Sequence, residues 1–260
     1  MNQIDVEAMR ALARKTAMSL GNLEKDYVLS VALTRLPGLT EHAIFKGGTC
    51  IKKCYYPKFR FSSDLDFTYQ NKNPDDLKTL KNNIRGTFEM KTIDGIRFQK
   101  VKPIETLKEN LIAAIQYESV ISQTGYIDSI RVEYSTETPV EQKPCLRNVI
   151  NPPVYDLPQT TVPCLSLPEI LAEKIHAIYH RKKPRDLYDA TFLIRQGVTP
   201  DQKLIATKLK ALGAELGKPT LQERIGRLKE TWNDDMARLV LIVPDVDESE
   251  KTLIDKLFEK

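Results

Sequence analysis

The sequence has little that would place it outside the cell or in a membrane. It has only four cysteines in 260 residues, Cys50, Cys54, Cys145 and Cys164, too few in a chain this long for a disulfide framework. Cys50 and Cys54 are spaced C-x3-C, but no second pair or histidine cluster completes a zinc site, so free buried thiols are expected. The three histidines, His42, His176 and His180, lack the spacing of a metal or proton-relay site. No run approaches about 18 consecutive apolar residues, which argues against a membrane-spanning helix. The opening MNQIDVEAMRALARK carries acidic residues early and no apolar core of about seven, so no secretory signal is expected. A reducing cytoplasm is the expected compartment. Internal repeats and low-complexity tails are also missing.

What is present describes a folded protein near the upper size for one hydrophobic core, hence one large domain or two lobes. The chain is 41% hydrophobic and 28% charged, which excludes wholesale disorder. A net charge of +4 is compatible with a phosphate-bearing partner without requiring one.

Periodicity predicts helices over residues 3–20 and 22–36 and a strand over 43–46. A helical turn over 49–55 follows, then a basic aromatic loop and a strand over 64–69. Asn71 to Pro74 reads as a turn and 75–88 as a helix. Strands follow at 96–101, 112–120 and 126–134, the last two forming a hairpin around SQTG. Prolines 139, 144, 152, 153, 158, 163 and 168 then predict an extended surface connector over 139–164. Beyond it, Ser166-x-x-Glu169, Thr199-Pro-Asp-Gln202 and Thr220-x-x-Glu223 read as helix starts, and Gly197 as the end of a helix begun near Arg185. The expected class is α+β: a mixed-sheet lobe with N-terminal helices over 1–138, and a helical lobe over 165–260.

One stretch combines features that folding alone would not select together: FKGGTCIKKCYYPKFRFSSDLDF, residues 45–67. Asp64 and Asp66 flank Leu65 on a predicted strand, so both carboxylates share a face. At a separation of roughly 6 Å and an effective dielectric of 20, their repulsion is on the order of 2–3 kcal/mol. A divalent cation reverses that sign, and two carboxylates suit Mg2+ bound together with substrate phosphates. Gly47 and Gly48 let backbone approach an anion closely, and Thr49 adds a hydroxyl at the same turn.

This order, strand–GGT–helix–loop–strand–DxD, resembles the nucleotide-binding signature of the polymerase-β-type nucleotidyltransferase superfamily. The fuller F-K-G-G-T followed by R-F-S-x-D-L-D resembles its AbiEii-like toxin branch, that of type IV toxin–antitoxin systems. LSLPEILAEKIHAIYHRKKPRDLYDATFL (165–193) and LEKDYVL (23–29) are similar to further blocks of that branch. The resemblance implies that Asp64 and Asp66 hold two Mg2+ ions on a nucleoside triphosphate, with Gly47, Gly48, Thr49, Arg60 and Ser62 around it. It implies an RNA acceptor, with tRNA 3′ ends foremost, and a separately encoded antitoxin.

Glu133, in SIRVEYS, is the candidate third carboxylate, with a solvated strand face as the alternative. Lys174 is by default a surface lysine. The resemblance makes it a neutraliser of triphosphate charge and makes Asp186 an active-site acid or a support for Lys174. Arg185 and Asp189 read as a surface i,i+4 ion pair. HRKKPR (180–185) is either a solvated face or a contact to RNA backbone. Tyr55, Tyr56 and Phe59 read as core packing before base stacking. Two other functions stay open: a catalytically idle nucleotide-binding module, and a kinase-like phosphotransferase acting on protein.

Overall fold

The computed structural model describes residues 4–16, 18–36, 42–70, 74–104, 110–121 and 125–259. The expected turn at Asn71–Pro74 and the tip of the SQTG hairpin lie largely outside them. The chain forms two compact units: Met1–Val140 with Pro144–Cys164, and Glu141–Lys143 with Leu165–Lys260.

The first unit opens with α1 (Val6–Thr16) and α2 (Leu20–Arg35). Ser19 caps α2 by accepting the Asn22 N–H at 3.2 Å, which ends the first helix short of the expected residue 20. β1 (Ala43–Lys46) runs directly into α3 (Gly47–Cys50) and a wider turn over Ile51–Tyr55, closed by the Tyr56 N–H on the Ile51 carbonyl (2.7 Å). β2 (Asp64–Tyr69) and α4 (Pro74–Phe88) follow, then β3 (Thr92–Ile93), β4 (Ile96–Ile104), β5 (Leu111–Glu118) and β6 (Ile127–Ser135). β5 alternates buried and half-buried residues along its length, as a strand covered on one face should.

The proline-rich 139–164 segment corrects the sequence expectation. It contributes β7 (Cys145–Asn148) and β8 (Thr161–Cys164) to the sheet, which runs β3-β4-β5-β6-β2-β1-β8-β7 among the described residues. β8 pairs parallel with β1 (Phe45 with Cys164) and antiparallel with β7. The prolines favour extended backbone here, while Val162, Cys164 and Leu165 are fully buried. Burial decides the matter, and a connector becomes sheet.

LEKDYVL gains a structural explanation. Glu24 accepts hydrogen bonds from Ser119 Oγ (2.6 Å) and from the N–H groups of Val120 (2.6 Å) and Ile121 (2.9 Å). Asp26 accepts from Lys53 Nζ and Tyr155 Oη, each at 2.8 Å, and all three side chains are buried. Burial pushes the Asp26 pKa up, but Lys53 and Lys52 outweigh it and the net shift is down. These two acids tie α2 to the β5 end and to the turn behind the glycines.

The second unit is helical: α5 (Leu167–His180), α6 (Pro184–Arg195), α7 (Gln202–Lys210), α8 (Lys218–Lys229), α9 (Trp232–Ala237) and α10 (Val246–Phe258). Ser166 Oγ caps α5 through the Glu169 N–H (3.3 Å), and Gly197, at φ +87°, terminates α6 as expected. Two predicted starts move. Asp201, not Thr199, caps α7 by accepting from Lys203 and Leu204, and α8 begins at Lys218 with Pro219 in its first turn, leaving Thr220 inside the helix.

Candidate active site

The site-bearing face of the first unit is built by three adjacent strands. β1 and β2 are antiparallel with Lys46 opposite Asp66; β2 and β6 are parallel with Asp64 beside Arg131 and Asp66 beside Glu133. Paired residues project to the same side, so Lys46, Asp66 and Glu133 form one row and Asp64 and Arg131 flank it. On the opposite face Phe45, Phe67 and Tyr134 stack, with ring centroids 5.1 and 4.9 Å apart. An apolar row thus holds the charged row in register from behind.

Gly47 is fixed by two independent constraints. Its φ is +77°, a left-handed value that disfavours any side chain. A Cβ added there would also lie 2.5 Å from Asp66 Oδ2. The Asp66 carboxylate therefore rests directly against the glycine turn. At Gly48 an added Cβ would meet Arg60 Nη2 and Ser62 Oγ, each at 2.9 Å. The structure thus brings five of the expected residues together: Gly47 with Asp66, and Gly48 with Arg60 and Ser62. Arg60 is buried and donates from Nη1 to the Phe61 carbonyl (2.8 Å).

Thr49 is a correction in detail. Its hydroxyl is fully buried and donates to the Asp64 carbonyl at 2.5 Å, so it pins the turn to β2 instead of offering its proton to a phosphate. Glu133 sits in register with Asp66, yet its carboxylate pairs with Arg131 Nη2 at 2.6 Å. Asp64, Asp66 and Glu133 do not draw their oxygens into one tight group, since among the described residues the three-ligand group is formed by cysteines. The two aspartates beside a glycine cradle suit Mg2+, which takes one or two carboxylates and leaves positions for substrate oxygens.

Within the second unit α5 and α6 share a buried charge network. Lys174 Nζ lies 2.7 Å from Asp189 and 3.2 Å from Asp186, whose other contacts are Arg181 Nε (2.8 Å) and Nη2 (3.0 Å). Both aspartates are fully buried and Lys174 is 7% exposed, so neither the surface lysine nor the surface Asp189 expected from helical spacing is found. Burial raises the Asp186 pKa, but Lys174 and then Arg181 pull it down to about 2. Asp186 holds Arg181, at the start of HRKKPR, in a bidentate fork. The sequence did not single out Arg181 from its basic run, and it read Glu169 only as part of a helix start, not as a buried acid. That acid accepts from the Glu141 and Gln142 N–H groups and pairs with Lys208 at 2.8 Å.

The fold is that of a nucleotidyltransferase, and comparison with known proteins gives the family. Residues 31–257 match the family described as nucleotidyl transferase AbiEii toxin, type IV TA system. The chain belongs to that family. Among solved structures it is similar to MenT4, a nucleotidyltransferase toxin of Mycobacterium tuberculosis H37Rv, with a TM-score of 0.70, 19% identity, and coverage of 96% of this chain and 88% of that one. It is also similar to JHP933 of Helicobacter pylori, with a TM-score of 0.58, 19% identity, and coverage of 90% and 88%. At such identities these likenesses establish the fold alone. No curated protein matches the sequence. No helix among the described residues is long and apolar enough to cross a membrane.

Proposed function

We propose that the enzyme moves a nucleoside monophosphate from a nucleoside triphosphate to an RNA acceptor, the tRNA 3′ end foremost, in an Mg2+-dependent reaction that a cognate antitoxin opposes. The observation that carries this reading is the contact between Asp66 and the Gly47 turn, with Asp64 on the same strand face. When bound, Mg2+ supplies charge neutralisation across the triphosphate and a lowered pKa at the attacking hydroxyl.

Asp64 and Asp66 are the ligands assigned to that ion, with Glu133 as a third carboxylate once it leaves Arg131. Gly47, by lacking a side chain, keeps the Asp66 carboxylate next to the turn. Gly48, Arg60 and Ser62 are assigned to the phosphates, Arg60 by charge and Ser62 by its hydroxyl. Thr49 holds the turn on β2. Lys174 keeps Asp186 ionised, and Asp186 fixes the Arg181 guanidinium beside the basic run assigned to RNA backbone. In the reaction the acceptor oxygen bonds to the α-phosphorus and pyrophosphate leaves.

The test is incubation of purified protein with Mg2+, total tRNA and each α-32P-labelled triphosphate in turn. Label should enter RNA from α- and not from γ-labelled nucleotide, with release of pyrophosphate. Label entering protein from the γ position alone would instead make the enzyme a phosphotransferase. Thermal stabilisation by nucleotide with no transfer at all would make it a binding module.

A further inference from the structure

All four cysteines of the chain lie in the first unit, and three of them meet in its interior. Cys50 ends α3, Cys54 lies in the turn that follows, and Cys164 closes β8. All three are buried, and their sulfur atoms lie within 4.8 Å of one another. The fourth, Cys145, is exposed and stands opposite Cys164 in the β7–β8 register. A buried thiol often packs simply as a small apolar group. That explains each cysteine singly, but gives no reason for sulfurs from α3, the turn and β8 to point at one place.

An ion bound at about 2.3 Å to three thiolates holds their sulfurs about 4 Å apart. The observed spacing needs to tighten by less than about 1 Å to reach that geometry. Arg147 donates from Nε to the Cys54 carbonyl (3.3 Å), which places a cation beside the turn that carries this thiol. The Cys164 thiol donates to the Val162 carbonyl (3.6 Å), a proton that an incoming ion must displace.

We propose that Cys50, Cys54 and Cys164 bind one thiophilic d10 cation, Zn2+ or Cu(I). Thiolates select these soft ions, while Mg2+ requires oxygen, so this centre and the aspartate pair do not compete for one metal. Zn2+ takes four ligands, and Cys145 is the thiol on the neighbouring strand to supply the fourth; three thiolates satisfy Cu(I). Cys50 directly follows Thr49, so the ion anchors the segment behind the glycine turn. The proposal stands independently of the RNA and Mg2+ reading above.

The test uses the full chain purified under reducing conditions without chelator, with metal content measured by mass spectrometry. The metal-free protein is then titrated with Co2+, Zn2+ and Cu(I). One equivalent per chain, a thiolate-to-Co2+ charge-transfer band and protection of Cys50, Cys54 and Cys164 from alkylation are expected. Cys54→Ser should weaken binding by at least about tenfold. Cys145→Ser should weaken Zn2+ and leave Cu(I) unchanged, which separates the two ions. The charge-transfer and alkylation readings need only the wild type, so a variant that fails to fold does not remove the test. Failure of the wild type to bind any of the three ions overturns the proposal. So does metal retained by a Cys50→Ser/Cys54→Ser/Cys164→Ser variant.

Discussion

Asp66 Oδ2 occupies space that a side chain at position 47 would need, 2.5 Å from where its Cβ would stand. The glycine and the acid are therefore one unit. Gly47→Ala must bear a left-handed backbone, about 1–2 kcal/mol, and must also move the carboxylate. We expect a lower melting temperature and at least about a tenfold loss of nucleotide transfer, the equivalent of about 1.4 kcal/mol. Gly86→Ala, in α4 where an added Cβ meets nothing within 4 Å, is the control and should keep full activity.

The aspartate pair makes an opposite prediction for stability. Asp64 and Asp66 repel one another by roughly 2–3 kcal/mol at an effective dielectric of 20. Asp64→Asn/Asp66→Asn should abolish label transfer while melting no lower than wild type in metal-free buffer. Added Mg2+ should raise the wild-type melting temperature and leave the variant unmoved. Undiminished transfer by the variant would end the metal argument.

Glu133 is held by Arg131 at 2.6 Å, in competition with any metal role. Arg131→Ala should free the carboxylate, so half-maximal transfer should need less Mg2+. Glu133→Gln should raise that requirement several-fold. If neither change alters the Mg2+ titration, Glu133 is a strand-face residue and no ligand.

Asp186 predicts a pH signature. Its folded pKa, about 2, lies below the ordinary aspartate value of about 3.9, so its charge adds stability that is fully present above about pH 4. That contribution disappears as pH falls through about 2. Asp186→Asn should cost on the order of 3 kcal/mol near neutrality, as breaking a buried pair does. Melting temperatures of variant and wild type should converge between pH 4 and 2. A difference independent of pH would show that lost packing, and not charge, was responsible.

How far the sequence reveals this molecule depends on how local each determinant is. β2 was legible from its own alternation, and the glycine turn from two adjacent residues, because both patterns complete themselves within a few positions. Gly197 ended α6 where expected for the same reason. β7 and β8 were not legible, since their partners are 13 to 119 residues away and the prolines that mark a linker also favour the extended backbone of a strand. Asp189 has the spacing of a surface ion pair with Arg185; only the packing of α6 on α5 buries it against Lys174. The cysteine trio escaped notice because C-x3-C is half of a site whose third member arrives on β8. Thr49 was found, but its partner is a backbone carbonyl that carries no sequence signature.

The place of β8 between β1 and β7 also has a bearing on how the protein is made. The strand that carries Lys46 into the glycine turn gains one of its two neighbours only after residue 164 has left the ribosome. Until then β1 presents an unpaired edge, the sort of exposed template on which nascent chains cross-pair. A fragment stopped at residue 138 should accordingly be insoluble, whereas one ending just beyond β8 should not. Synthesis of more than half the polypeptide thus precedes any completed catalytic sheet, a delay inherent in the order of the strands.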